Sequence, residues 1–420
     1  MNNYTHILFL KKKLFFLLFS LTLVFSSCHK PLNPLGEESR FDEDGYPLDT
    51  LEHFSQSLPN SIKFYVEVSG SMNGFFRGNQ TTNFKRDVWS VFSNNSWVNS
   101  VFIYTSQNKP AEEVSLDVFR TRMNNGSFVS TASTHVPYMI SSLLETLDWE
   151  NGEVAVLVSD MKYSPTGQKD MNVLIDQYAS DIRNVFESTE AAVSLIGATS
   201  NYIDNKNQVW EDSPYYFLVI GRPDNVVLMR NCIATLLEDN DKLVGEMTAG
   251  IDYKSPNFVV SRPYNIIQLD SRTPSFYNFE QSFSDTCSFD LAIDLSSYPW
   301  YMATDDYLKD NIKFSTMNSS SIQIKDIHLS IDNHYERQLK RSAIAVLELS
   351  FSDMFTEADV VEFTLDFPII DPFGRYEGAI SENEYDKSFS IEGFIRGCFQ
   401  QSKPSIWSKG PSRILITTRN

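Results

Sequence analysis

A chain of 420 residues with 54 acidic against 35 basic side chains carries a formal net charge of −19. So acidic a chain is repelled by nucleic acid and by anionic lipid head groups, which excludes both as electrostatically driven partners. Its length suggests two domains with connecting segments.

The chain opens with a basic patch, Lys11-Lys12-Lys13, then a wholly apolar run from Leu14 to Phe19 that continues with few interruptions to Phe25, then Ser26-Ser27 before Cys28. That order of basic, apolar and small segments is the pattern of an export signal, with an apolar stretch short for a membrane span. The tetrapeptide Phe25-Ser26-Ser27-Cys28 resembles the lipobox of bacterial lipoproteins. The resemblance implies that residues 1–27 are a signal peptide and that the Cys28 thiol carries a diacylglyceryl group. It also implies a lipid-anchored protein of the cell envelope, at the outer membrane of a Gram-negative bacterium, whose membrane contact is the anchor. Several acyl chains together anchor stably where one gives only marginal binding. Residues 28–58 are acidic and punctuated by proline, as expected of a flexible tether. Cys232, Cys287 and Cys398 are too widely spaced for a zinc pattern. Cys287 and Cys398 are candidates for a bridge, and Cys232 reads as a buried helical thiol.

From Ile62 onward strands alternate with helices. Strands are expected at Ile62–Val68, Ser100–Thr105, Val154–Ser159, Ala192–Gly197 and Tyr215–Ile220. Helices are expected around Arg86–Phe92, Pro137–Leu147, Met171–Phe186 and Pro223–Leu237. The run VAVLVS at Val154–Ser159 is apolar on both faces, which suits the centre of a sheet covered on both sides. The alternation predicts an α/β domain over residues 59–240, built on a doubly wound parallel sheet. After about residue 240 the pattern changes to spaced β-rich runs: Phe258–Val260, Phe289–Leu295, Ile312–Phe314, Ile322–Ile331, Ala343–Phe351, Val360–Phe367, Phe389–Ile395 and Arg413–Thr417. Residues 241–420 are therefore expected to form an antiparallel β-sandwich of the Ig-like kind.

The chemistry concentrates where the first strand ends, in Glu67-Val68-Ser69-Gly70-Ser71-Met72-Asn73-Gly74. Ligands of open α/β sheets bind outside the carboxyl ends of the strands. The central strand ends there too, in Ser159-Asp160, and Thr134 lies in the loop before the Pro137 helix. Two carboxylates and three hydroxyls make an oxygen-only set suited to a hard divalent cation.

This constellation resembles the von Willebrand factor A domain and its metal-ion-dependent adhesion site, whose motifs are Asp-x-Ser-x-Ser, a threonine before a helix, and an aspartate ending the central strand. Ser69, Ser71, Thr134 and Asp160 match by type and order. Glu67 stands in the place of the first aspartate, one methylene longer, and Met161 follows Asp160 where the family often has glycine. The resemblance implies Mg2+ as the ion, with Mn2+ as a substitute. It also implies a non-enzymatic binding or assembly module engaging a protein ligand through an exposed carboxylate. Phe75 and Phe76 follow the metal loop and are candidate ligand contacts at the rim, or else core residues. Two rival readings use the same edge: a metal-assisted hydrolase or phosphatase, and a structural envelope protein that has lost its metal. Ser71 lacks the Gly-x-Ser-x-Gly setting of a hydrolase nucleophile, and a lone His135 at a helix start is more often structural than a base.

The anchor is directly testable. Cys28→Ala is expected to abolish incorporation of labelled fatty acid and to release the chain from washed membranes; retention as firm as the wild type would contradict the lipobox assignment.

Overall fold

The computed structural model describes residues 61–418 except 79–81, 94–99, 106–109, 129–134, 164–169, 188, 239–241, 254–257, 269–275, 280–285, 296–297, 300–301, 303, 317–319, 331–341, 352–357, 366–371, 379–383, 401–405 and 408–411. The signal segment, Cys28, the tether and Thr134 therefore lie outside the described residues. Among the described residues no helix is long and apolar enough to cross a membrane.

The first part is α/β. Its strands are β1 (Ile62–Glu67), β2 (Ser100–Tyr104), β3 (Glu112–Ser115), β4 (Val154–Ser159), β5 (Ala192–Ile203), β6 (Val209–Gly221) and β7 (Leu243–Ala249). They form one seven-stranded sheet in the order β3-β2-β1-β4-β6-β5-β7. The helices are α1 (Asn73–Phe76), α2 (Asn83–Ser93), α3 (Leu116–Asn125), α4 (Val136–Thr146), α5 (Met171–Glu187) and α6 (Pro223–Glu238). Helix α4 shows why these segments are helical. Pro137 sits in its first turn, His135 Nδ1 accepts the Tyr138 amide at 3.1 Å, and Val136, Met139, Ile140, Leu143 and Leu144 bury one stripe.

Every residue of β4 is buried, as its two-sided apolar sequence requires. One face carries Phe64, Val66, Val156 and Val158, packed with residues of α1, α2, α3 and α6. The other carries Tyr65, Ala155 and Leu157, packed with α4 and α5.

The sheet is mixed rather than parallel throughout. β1 pairs in parallel with β2 and with β4, but β3, β6, β5 and β7 all join antiparallel. For β5 and β6 the cause is the short connection Asp204–Gln208 between them. Parallel neighbours need a crossover of roughly a dozen residues or more, so a tight turn forces a hairpin. Asp204 shapes that turn: its Oδ1 accepts the amides of Lys206 and Gln208, both at 2.8 Å.

Beyond β7 come β8 (Asp252–Tyr253), β9 (Phe258–Tyr264), β10 (Ile266–Gln268), β11 (Phe276–Phe279), β12 (Thr286–Asp294), α7 (Asp305–Asn311), β13 (Ile312–Thr316), β14 (Ser320–Ser330), β15 (Ser342–Phe351) and β16 (Ala358–Leu365). The chain ends with β17 (Glu377–Gly378), β18 (Ser388–Phe389), α8 (Ile391–Ile395), β19 (Ile406–Trp407) and β20 (Ser412–Thr418). A five-stranded sheet runs β10-β11-β20-β16-β13 and a four-stranded one β14-β15-β12-β9. Buried residues of both sheets share one core, and Phe258 on β9 meets Phe363 on β16 edge-on at 5.4 Å. Cys232, Cys287 and Cys398 are free thiols. The candidate Cys287–Cys398 bridge does not form, because the two residues belong to different cores. Burial pushes the Cys287 thiol up to about 12, which leaves it unreactive.

Among the described residues, helical segments interrupt the expected all-β pattern after residue 240, including a 3-10 turn at Gly374–Tyr376. Helix α7 is capped by the Thr304 hydroxyl. Of the strand expected at Phe389–Ile395 only Phe389 is extended, at the end of β18; Ile391–Ile395 form α8, which continues into a π-helical turn at Arg396–Gln400. Ile391, Phe394, Ile395 and Cys398 recur at helical spacing and are buried against α5 in the second core of the α/β part. Gly393 permits the close approach, since a Cβ there would lie 2.8 Å from the Ile175 carbonyl oxygen. The Glu377 carboxylate fixes the start of α8 by accepting the amides of Ser390 (2.9 Å) and Glu392 (2.7 Å), and Arg396 pairs with Asp176 at 3.0 Å.

Phe394→Ala is thus expected to destabilise the protein by about 3–5 kcal/mol, as for a fully buried aromatic. Exposed Val173 on the same helix α5 is expected to tolerate alanine within about 0.5 kcal/mol. Urea denaturation of both variants checks this; near-equal, small losses would mean that α8 is not seated on α5.

Candidate functional site

Parallel pairing places the two acidic strand ends side by side. Ile62 lies opposite Val154, and the register runs through Val66 opposite Val158. One step further, the Ser159 hydroxyl donates to Glu67 Oε2 and accepts the Met161 amide at 2.8 Å. Glu67 and Ser159 therefore lie together, on the sheet face that α5 covers.

Asp160 follows. Its Oδ1 accepts the Lys162 amide at 3.2 Å, while Oδ2 has no hydrogen-bond partner among the described residues. The side chain is not at an exposed loop, as its place after a strand suggests, but 1% exposed. An unpartnered buried carboxylate oxygen is expensive and calls for a compensating group. Met161 adopts φ +57°, the left-handed conformation that glycine takes most readily. The backbone turn after Asp160 is thus of the glycine kind although the residue is methionine.

The loop after β1 is held by the Val68 amide on the Tyr104 carbonyl (3.0 Å) and the Met72 amide on the Ser69 carbonyl (3.2 Å). The Ser69 and Ser71 hydroxyls meet at 2.9 Å. Glu67 and Ser69 are buried and Ser71 is half-buried, so the site reaches solvent on the Ser71 side.

Phe75 and Phe76 are core residues, correcting their expected place at the rim. Both are 2% exposed: Phe75 packs 5.1 Å from Phe84 and edge-on to Tyr202, and Phe76 packs edge-on to Phe84. The short α1 turns them inward, and Gly74 makes room, since a Cβ there would lie 2.3 Å from the Tyr202 ring. His135 acts as the cap of α4.

Three groups around the edge were not apparent in the sequence. Ser159 is one; alternation with Ala155 and Leu157 on the Glu67 face could have found it. Tyr178 on α5 is another, indistinguishable from the apolar stripe Leu174, Tyr178, Ile182. The third is Ser388, whose hydroxyl donates to the Asp160 carbonyl (3.2 Å) and meets the Tyr216 hydroxyl at 3.0 Å. Near it, Tyr385 stacks on Tyr202 at 4.5 Å, and the Lys162 ammonium lies 5.9 Å from the Tyr385 ring. The C-terminal part thus supplies one wall of the edge. Burial lifts the hydroxyls of Tyr178, Tyr202 and Tyr216 well above the usual phenol range, and the charge of Asp160 adds to each. All three remain proton donors at neutral pH.

The donor set fits a small hard cation: oxygen atoms only, including a buried carboxylate oxygen without a partner among the described residues. No group of three or more His, Cys, Asp or Glu side chains with metal-holding geometry occurs among the described residues. Hydroxyls and water would have to complete any coordination. Comparison with protein-family models, curated proteins and solved structures found no match to this chain.

Asp160→Asn keeps the shape and removes the charge. In EDTA it is expected to raise stability by about 1 kcal/mol, because a neutral amide costs less to bury without a partner than a carboxylate does. A lower melting temperature would show that the carboxylate is already compensated.

Proposed function

We propose that this chain is a lipid-anchored, non-enzymatic binding module of the cell envelope, with a von Willebrand factor A-like α/β domain and a C-terminal Ig-like sandwich. Glu67, Ser69, Ser71, Asp160 and Thr134 would hold Mg2+, or Mn2+ in its place. The bound ion would supply the positive charge that draws a carboxylate of a protein ligand to the Ser71 side of the edge. The single observation that carries this reading is the buried Asp160 Oδ2, without a hydrogen-bond partner among the described residues, just past a strand end that parallel pairing sets next to the end of β1, which carries Glu67 and leads into the Ser69–Ser71 hydroxyl pair. The turn at Met161 supports it as well, because the backbone there takes the form that the family's glycine would favour.

A second reading has its own observation. Glu67 is already hydrogen-bonded by Ser159, and Ser388 and Tyr385 close over the edge from the C-terminal part. A metal-free assembly scaffold would use the edge in this way, as a joint inside the chain.

Thermal melts of the full chain in EDTA, Mg2+ and Mn2+ separate the two. An ion that binds only the folded state adds about 2.7 kcal/mol at a hundred times its Kd. The wild type is expected to melt higher in either ion, and Asp160→Ala to lose that shift. A wild type indifferent to both ions would leave the scaffold reading standing.

A further inference from the structure

Asp160 Oδ2 is not the only buried polar atom at this edge without a hydrogen-bond partner among the described residues. The Tyr178 hydroxyl is a second, on a side chain that is fully buried. Its position is fixed from several sides. The ring stacks on Tyr163 at 4.2 Å and 7°, Phe394 of α8 lies 6.1 Å away, and a Cβ on Gly393 would be 3.1 Å from Tyr178 Cβ. Tyr163 is itself anchored, its hydroxyl donating to Asp181 at 3.0 Å. Tyr178 belongs to the core on the face where Tyr65 and Leu157 lie, the face to which Glu67 and Ser159 also point. Both carboxylates are near enough for their charges to act on the hydroxyl, after burial and Cys398.

A phenol in an apolar stripe gains nothing from its oxygen unless that oxygen has a partner; phenylalanine would fill the same space without the desolvation cost. Two such uncompensated groups around one carboxylate pair are best explained together. We propose that Tyr178 is a positioning residue for the cation of the proposed site, its hydroxyl donating to the ion's hydration layer on the side that faces α5. This rests on the reading of the edge as a cation site and adds a residue from outside the three motifs. The Ser159 hydroxyl already donates to Glu67 Oε2 on the face that α5 covers, and Tyr178 would add a second hydroxyl from that face. Mg2+ keeps several waters when it binds protein, and groups that orient those outer contacts set affinity.

The test is a Mg2+ titration of the full chain and of Tyr178→Phe, read as melting temperature against ion concentration, with each protein also melted in EDTA. Phenylalanine preserves the stack on Tyr163, so folding is not at issue. Tyr178→Phe is expected to weaken Mg2+ binding about tenfold or more, while its melt in EDTA stays level or rises. Equal Mg2+ affinity in the two proteins overturns the role of Tyr178 and leaves the ion site intact. A lower EDTA melt for Tyr178→Phe also overturns it, since the hydroxyl would then have a structural partner. A wild type that shows no response to Mg2+ removes the site and this role together.

Discussion

Everything at the carboxyl edge depends on the parallel pairing of β1 with β4. Glu67 and Asp160 are far apart in the chain, and only that register sets their strand ends side by side. The pairing is in turn held by the apolar runs on both strands, buried under helices on both faces. A one-residue slip would move Glu67 to the opposite face, away from Ser159 and Tyr178. The hydrophobic cores thus fix the chemistry by fixing the register.

The same constraint explains what was legible in the sequence. β1, β2 and helices α4, α5 and α6 announce themselves by their apolar periodicity, and β4 by being apolar on both faces. The direction of β5 and β6 was not legible from their composition, since apolar strands look alike whichever way they run. The turn residues Asp204-Asn205-Lys206-Asn207 carried that information, through their length and through Asn207 at φ +62°. Helix α8 was hidden because Phe389–Ile395 is rich in β-forming residues; only the longer spacing Ile391, Phe394, Ile395, Cys398 reveals a helix. Of the site, the residue types and their order were readable. Their burial was not, because part of the cover comes from far along the chain: Ser388 bonds the Asp160 carbonyl, Tyr385 stacks on Tyr202 and Phe394 packs near Tyr178.

That return of the chain shapes the functional account. The sheet edge is closed on one side by the chain's own C-terminal part and open toward Ser71. Buried charge and hydroxyls without partners are tolerated where something compensates them, and a cation with its water would compensate both Asp160 and Tyr178. A protein this acidic would gain further from a local positive charge when it meets an acidic ligand, because its own field repels one.

The most direct test of the central claim is to locate the ion. Crystals of the protein grown with Mn2+ and measured for anomalous scattering should show one strong peak at the carboxyl edge, between Asp160 and Glu67 and within reach of the Ser69 and Ser71 hydroxyls. A map with no peak there, at Mn2+ concentrations that saturate hydroxyl-and-carboxylate sites, would contradict the account.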